Sequence, residues 1–174
     1  MRAELYWIPG PWPGRMAIAP RPRAREWLEE EVRAWSSAGI DLVVSLLTSD
    51  EISDLELDQE ESACQRAQIE FVSFPVVDRS VPASKKSTSE LLTKLSAYLG
   101  SGKTIVIHCR QGIGRSALLA ASLLITAGKD ADSALERISA ARGCPVPETP
   151  EQKAWIMEFA SSVTNLNPKK VASR

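Results

Sequence analysis

The sequence predicts an α/β domain, with a small, mostly parallel central sheet carrying helices on both faces. Three observations predict it. Short apolar runs of strand length, Ile40–Leu47 and Thr104–His108, leave no wet face, as expected of strands covered on both sides. Segments of helical periodicity lie between the strands, so the two kinds of element alternate along the chain. The chain has 174 residues, room for one such domain and little for a second. One domain over residues 1–164 is therefore expected, followed by a polar, frayed tail over 165–174 that ends NPKKVASR.

Each element follows from its local sequence. The opening LYWIPGPWPGRMAIAPRPR is rich in Pro and Gly. Proline is excluded from helix interiors and central strands, so irregular chain or short edge strands are expected there, held to the domain by Trp7 and Trp12. Arg25–Ala38 reads as a helix with Leu28, Val32 and Trp35 on one face and Gly39 as its stop. Ile40–Leu47 is the central strand, Thr48–Asp54 an acidic loop, and Leu55–Ala67 a second helix. Ile69–Phe74 is a strand whose regular pairing Pro75 ends, and Val76–Ala83 is a loop with Asp78 near its start. Ser87 and Glu90 have capping-box spacing and open a helix carrying Leu91, Leu95 and Tyr98 up to Gly100. Thr104–His108 is a buried strand, and Ala117–Ala127 is a strongly apolar helix ended by Gly128. A helix near Ala131–Ala141 turns Ala134, Leu135 and Ile138 inward, and a last helix from near Pro150 presents Trp155, Ile156, Phe159 and Val163.

Composition narrows the function classes. The net charge is −1 with Lys and Arg spread along the chain, which argues against a nucleic-acid partner, because phosphate backbones select basic patches. No run approaches the roughly 20 apolar residues of a membrane helix, and the first residues lack a signal-length apolar segment. The three cysteines, Cys64, Cys109 and Cys144, are odd in number and widely spaced, unlike a disulfide framework; reduced thiols and a cytoplasmic location are expected. With one histidine, His108, and no CxxC pair, a zinc site lacks ligands, and no metal is expected.

The chemistry concentrates in HCRQGIGRS, residues 108–116, between the buried strand and the apolar helix. A loop in that position aims successive backbone N–H groups at one point, and the helix N-terminus adds partial positive charge, which together favour an anion. Gly112 and Gly114 permit the tight backbone such a cradle needs. The nucleotide-binding pattern GxxxxGK[ST] is excluded because its Lys is missing. Cys109 opens the cradle, where a thiol pKa is expected to be lowered and the thiolate can act as a nucleophile. Arg115 closes it, and its planar fork suits two oxygens of a phosphate. Ser116 is placed to donate a hydrogen bond to the sulfur. The amides of Arg110, Gln111, Gly112, Ile113, Gly114 and Arg115 are the expected phosphate-binding set.

HCRQGIGRS resembles the protein tyrosine phosphatase signature of His, Cys, five residues, Arg, then Ser or Thr. The resemblance extends over most of the chain and is nearest to the small, single-domain dual-specificity phosphatases, in particular their compact atypical forms, whose opening segment WIPGPWPGRMAIA also resembles. The late position of Cys109 disfavours the low-molecular-weight phosphatases, and the upstream Asp78 disfavours the rhodanese-like ones. The resemblance implies that FPVVDRSVP is the acid loop, with Asp78 giving a proton to the leaving oxygen. It implies that His108 shapes the loop and tunes the thiolate without acting as a base. It also makes Gln152 and Glu148 candidates for positioning the hydrolytic water.

Each residue has a plainer reading. Cys109 alone would be a buried structural thiol. Arg115 alone would be a surface salt-bridge partner, and His108 a core histidine bonded to backbone. Asp78 could be an ordinary turn aspartate, with Asp50 and Asp54 in the acidic loop as rival acids. Thr149, Pro150 and Gln152 make a complete helix start. Cys64 and Cys144 read as structural. The register of Cys109, Gly112, Gly114, Arg115 and Ser116 favours the functional reading for the cradle.

The expected activity is hydrolysis of phosphotyrosine, extending to phosphoserine and phosphothreonine, through a phosphocysteine intermediate and without a cofactor. The expected partner is a phosphorylated protein or peptide, and the expected state a monomer. Two alternatives stand beside it: a catalytically weak module that binds phosphoproteins, and a phosphatase for a non-protein ester such as a phosphoinositide or an RNA 5′-phosphate. The absence of lysine from Arg110–Gly114 disfavours the lipid head group, because phosphoinositide phosphatases often carry extra lysines there.

Overall fold

The computed structural model describes residues 3–166. Its sheet has five strands: β1 (Tyr6–Ile8), β2 (Arg15–Ala19), β3 (Leu42–Ser45), β4 (Glu70–Ser73) and β5 (Thr104–His108), in the spatial order β1-β2-β5-β3-β4. β2, β5, β3 and β4 run parallel, and only β1 is antiparallel, to β2. The mostly parallel α/β architecture expected from the sequence is the one found.

Among the described residues seven α-helices cover the sheet: α1 (Leu28–Ser37), α2 (Ser49–Asp54), α3 (Glu60–Arg66), α4 (Lys85–Gly100), α5 (Arg115–Thr126), α6 (Ala131–Arg142) and α7 (Pro150–Leu166). The core is split by the sheet. On one face Ala17, Val43 and Val106 pack with Leu28, Val32 and Trp35 of α1 and with Ala63 and Cys64 of α3. On the other face Ile18, Val44, Ile105 and Ile107 pack with α4, α5, α6 and α7. Alternate residues of β5 therefore enter opposite layers, which is why its sequence is apolar throughout. Helix α5 lies deepest, with every residue from Arg115 to Ile125 buried, as its apolar circumference requires.

Four expectations are corrected. The acidic segment 48–54 is helix α2 rather than a loop. Thr48 accepts a hydrogen bond from the N–H of Glu51 and Glu51 reaches back to the N–H of Thr48, a reciprocal cap that nucleates the turn. The helix placed over Leu55–Ala67 shrinks to Glu60–Arg66, because Glu56 takes a left-handed φ of 56° and breaks the run. The helix before Gly100 is capped by Ser84, not Ser87; the Ser84 side chain accepts from the N–H of Ser87. The proline-rich start supplies β2 in the sheet interior as well as β1 at its edge. Pro13 and Pro20 fall outside the five residues of β2, so no ladder donor is lost. Of the expected tail 165–174, residues 165 and 166 belong to α7, and 167–174 lie outside the described residues.

Candidate active site

The parallel strands β2, β5 and β3 end side by side, and the β5–α5 junction lies where their carboxyl ends meet the α5 N-terminus, the place where ligands of such sheets bind. The strand pleat sorts the first two motif residues. Cys109 faces the α5 layer and is 3% exposed. His108 enters the opposite layer, where its ring centroid lies 6.0 Å from that of Trp35 and its Nε2 lies 2.7 Å from Glu60 Oε1, with both side chains buried. His108 Nδ1 is 3.5 Å from the carbonyl oxygen of its neighbour Cys109, matching the expected core histidine that touches backbone.

The remaining motif residues converge on the sulfur. Ser116 Oγ, fully buried, is 3.4 Å from Cys109 Sγ. The N–H groups of Arg110 to Arg115 donate to no acceptor among the described residues, so this row of donors is available to an anion. Gly112 has φ +69°, and a Cβ there would lie 2.6 Å from the backbone carbon of Ala19 and 2.8 Å from the nitrogen of Pro20. The loop can pass against the end of β2 only because this residue has no side chain. Gly114 is hemmed in by side chains: its Cβ would meet Gln152 Oε1 at 2.9 Å and Glu148 Oε2 at 3.0 Å.

Arg115 is buried but not apolar in its surroundings. Nη1 donates to Glu51 Oε2 at 2.7 Å, to the carbonyl of Val76 at 2.8 Å and to that of Leu46 at 3.3 Å. Nη2 donates to Glu51 Oε1 at 2.9 Å and lies 2.9 Å from Asp78 Oδ1. Burial works against the Arg115 charge, but the Glu51 hydrogen bonds and the electrostatic influence of the neighbouring Cys109, Glu51 and Asp78 outweigh it and raise its pKa. Glu51 behaves reciprocally. Burial pushes its carboxyl up, while hydrogen bonds from Arg115 and Thr48 and the Arg115 charge bring it below the ordinary value.

Asp78 is thus brought to Arg115, and its exposed loop is tied down on the far side. Arg79, at φ 59°, places Nη1 2.7 Å from Glu148 Oε1. Thr149 Oγ1 donates to the carbonyl of Arg79, and Gln152 Nε2 to that of Ser80 at 3.0 Å. Gln152 also completes the helix start: its Oε1 accepts from the N–H groups of Glu148 and Thr149, and Thr149 Oγ1 accepts from the N–H of Gln152. The 148–152 segment therefore touches both the Asp78 loop and Gly114 of the β5–α5 loop.

Asp50 and Asp54 are exposed on α2, and neither pairs with Arg115. Glu51, between them, is the carboxylate that pairs with Arg115, and the sequence reading passed over it. The signal was present in Thr48-Ser-Asp-Glu51, a capping box that predicts a helix and so an orientation for the Glu51 side chain. Cys64 is fully buried, and burial, with the charges of Glu60 and Glu61, pushes its thiol up to about 12. No cluster of three metal-ligating side chains occurs among the described residues, and none of their helices is long and apolar enough to cross a membrane.

Residues 18–129 match the family model described as polymorphic toxin system, DSP-PTPase phosphatase. Cyclin-dependent kinase inhibitor 3 of Homo sapiens is 26% identical over 137 residues, 78% of this chain and 64% of that protein, and the Rattus norvegicus protein of that name matches to the same extent. The chain therefore spans 64% of the length of the curated relatives it matches. The solved structure of kinase associated phosphatase, with its catalytic-site cysteine substituted by serine, gives a TM-score of 0.84 at 20% identity over 94% of this chain and 97% of that one, a likeness of fold. Tk-PTP in its active form gives a TM-score of 0.74 at 27% identity over 92% of this chain and 99% of that chain.

Proposed function

Because the chain belongs to the DSP-PTPase phosphatase family, within the cysteine-dependent protein tyrosine phosphatases, we propose that it hydrolyses phosphotyrosine, and phosphoserine and phosphothreonine with it, in phosphorylated proteins. One observation carries the reading. The Cys109 sulfur, the Ser116 hydroxyl and the unspent N–H groups of Arg110–Arg115 are gathered at the head of α5, with the Arg115 guanidinium braced by Glu51 and facing Asp78.

The proposed reaction has two steps. The Arg115 fork and the amides hold the oxygens of the phosphoryl group and offset the charge that spreads over them. The Cys109 thiolate attacks phosphorus, the bond to the substrate oxygen breaks, and Asp78 gives that oxygen its proton. Water then attacks the phosphocysteine with Asp78 as base. Phosphate leaves, and Ser116 donates its hydrogen bond to the returning thiolate. Gln152 and Glu148, which lie against Gly114, are the candidates for positioning that water. Residues 1–164 form the catalytic unit in this reading. It acts as a cytoplasmic monomer and needs neither metal nor organic cofactor; nucleic acid and membrane are not its partners.

The test is hydrolysis of an aryl phosphate, its loss in Cys109→Ser and its inhibition by vanadate. Retained phosphopeptide binding with no turnover in the unsubstituted protein would favour the binding module instead. A panel of phosphotyrosine, phosphothreonine, phosphoinositide and RNA 5′-phosphate substrates orders the ester classes.

A further inference from the structure

Three consecutive carbonyl oxygens of the loop, those of Arg110, Gln111 and Gly112, each accept a hydrogen bond. The carbonyl of Arg110 accepts from the N–H of Arg21 at 3.3 Å. The next two are served by one side chain: Arg142 donates from Nη2 to the carbonyl of Gln111 at 3.2 Å and from Nε to that of Gly112 at 3.1 Å. A trans peptide unit is planar, with its C=O and the following N–H pointing in opposite directions. Pulling the Gln111 and Gly112 carbonyls outward therefore turns the N–H groups of Gly112 and Ile113 toward the inside of the loop.

We propose that Arg142 is a positioning residue for this reaction: its guanidinium fork holds two peptide units of the anion loop so that their amides face the bound phosphoryl group. Its own placement supports the role. Arg142 ends α6, immediately before Gly143 at φ +79°, and its guanidinium carbon lies 4.0 Å from the centroid of the Tyr6 ring on β1. The stacked ring leaves the in-plane N–H groups free to point at the loop. Two carbonyls side by side match a planar fork with fixed donor spacing. A lysine ammonium carries the same charge but lacks that geometry. Arg142 touches no reacting atom in this account and acts through the backbone it holds.

The inference rests on the phosphatase reading for its rate measurement only; its binding measurement stands apart. Arg142→Lys and Arg142→Gln are made in the full chain and again in the Cys109→Ser background, and inorganic phosphate is the probe. Calorimetry on the Cys109→Ser forms is expected to show both variants binding phosphate about tenfold or more weakly than their parent, within the roughly 10²-fold that a 1 Å misplacement costs. In the active forms kcat/KM for an aryl phosphate falls in parallel, while melting temperatures confirm folding. Phosphate affinity within twofold of the parent in both folded variants overturns the proposal. So does a Lys variant that binds like the parent beside a Gln variant that does not, since charge rather than the fork would then be what matters. Should neither fold, Tyr6→Ala removes the supporting ring but not the donors; it is expected to weaken phosphate binding in the same direction, and unchanged affinity overturns the proposal. If the unsubstituted protein fails to turn over aryl phosphate, the phosphatase reading falls while the calorimetric comparison still decides the role of Arg142.

Discussion

Arg115 and Glu51 face each other as a buried two-pronged ion pair, Nη1 to Oε2 at 2.7 Å and Nη2 to Oε1 at 2.9 Å, with 1% and 10% of their side chains exposed. The pair sets the plane of the guanidinium before any substrate arrives, and leaves Nη2 also within reach of Asp78. Removing one partner of a buried pair strands the other charge, so Glu51→Ala is expected to cost about 3–5 kcal/mol of stability. Urea unfolding should give a lower midpoint at unchanged m, with kcat/KM for aryl phosphate falling as the fork loses its brace.

The same pair predicts a pH dependence with a definite sign. The Glu51 carboxyl titrates below its ordinary value in the folded protein, so in acid the unfolded chain binds the proton first. Its contribution to stability is complete above the unfolded pKa of about 4.3 and is lost as pH falls through the lower folded value. The raised pKa of Arg115 acts only at the alkaline extreme. The stability difference between the parent and Glu51→Gln, measured by urea unfolding, should be constant from pH 8 to about pH 5 and shrink toward pH 3; an unchanged gap at pH 3 would contradict the pairing.

Asp78→Ala is expected to slow hydrolysis of an alkyl phosphate by about 10²–10⁴-fold, the usual worth of a general acid. A nitrophenyl ester, whose leaving group needs little protonation, should lose less. Steady-state kinetics on the two esters reads this directly. Equal losses on both would assign Asp78 to holding Arg115 rather than to proton transfer.

Glycine substitutions should rank by what the new methyl group meets. Gly112→Ala meets backbone atoms at 2.6–2.8 Å from a left-handed φ, which nothing nearby can relieve. Gly114→Ala meets the ends of Gln152 and Glu148 and must displace a hydrogen-bonded amide. Gly100→Ala meets nothing within 4 Å at the end of α4 and is expected to stabilise by about 0.4–1 kcal/mol. Phosphate inhibition constants and melting temperatures should worsen more at 112 than at 114, while the 100 variant keeps its phosphate inhibition and melts no lower than the parent.

Cys64, buried with its thiol pushed up to about 12, should resist alkylation at pH 8 in the folded protein, whereas the half-buried Cys144 should label first of the two. Peptide mass mapping after iodoacetamide provides the comparison, and rapid labelling of Cys64 without unfolding would contradict its burial.

The sequence carried the shape of the β5–α5 loop because its parts are local. Six consecutive amides, two glycines and the flanking strand and helix are neighbours in the chain, so their spacing encodes their geometry. Thr104–His108 was legible to the residue as a strand, since a run covered on both faces must be apolar throughout. The helix caps were legible where a side chain bonds to backbone three residues away, as at Thr149 and Gln152, and α2 escaped only because its capping box was read as acidic loop.

What surrounds the loop was decided by the tertiary structure alone. Glu51 meets Arg115 across 64 residues of chain and Arg142 meets Gly112 across 30, and no periodicity links positions that far apart. A glutamate on a short polar helix and an arginine at a helix end look like solvated surface in sequence. They become parts of the site only when the β3–β4 crossover brings α2, and packing against α5 and β1 brings α6, beside the end of β5, because a buried guanidinium and a row of loop carbonyls must find partners of opposite polarity in whatever the fold delivers there.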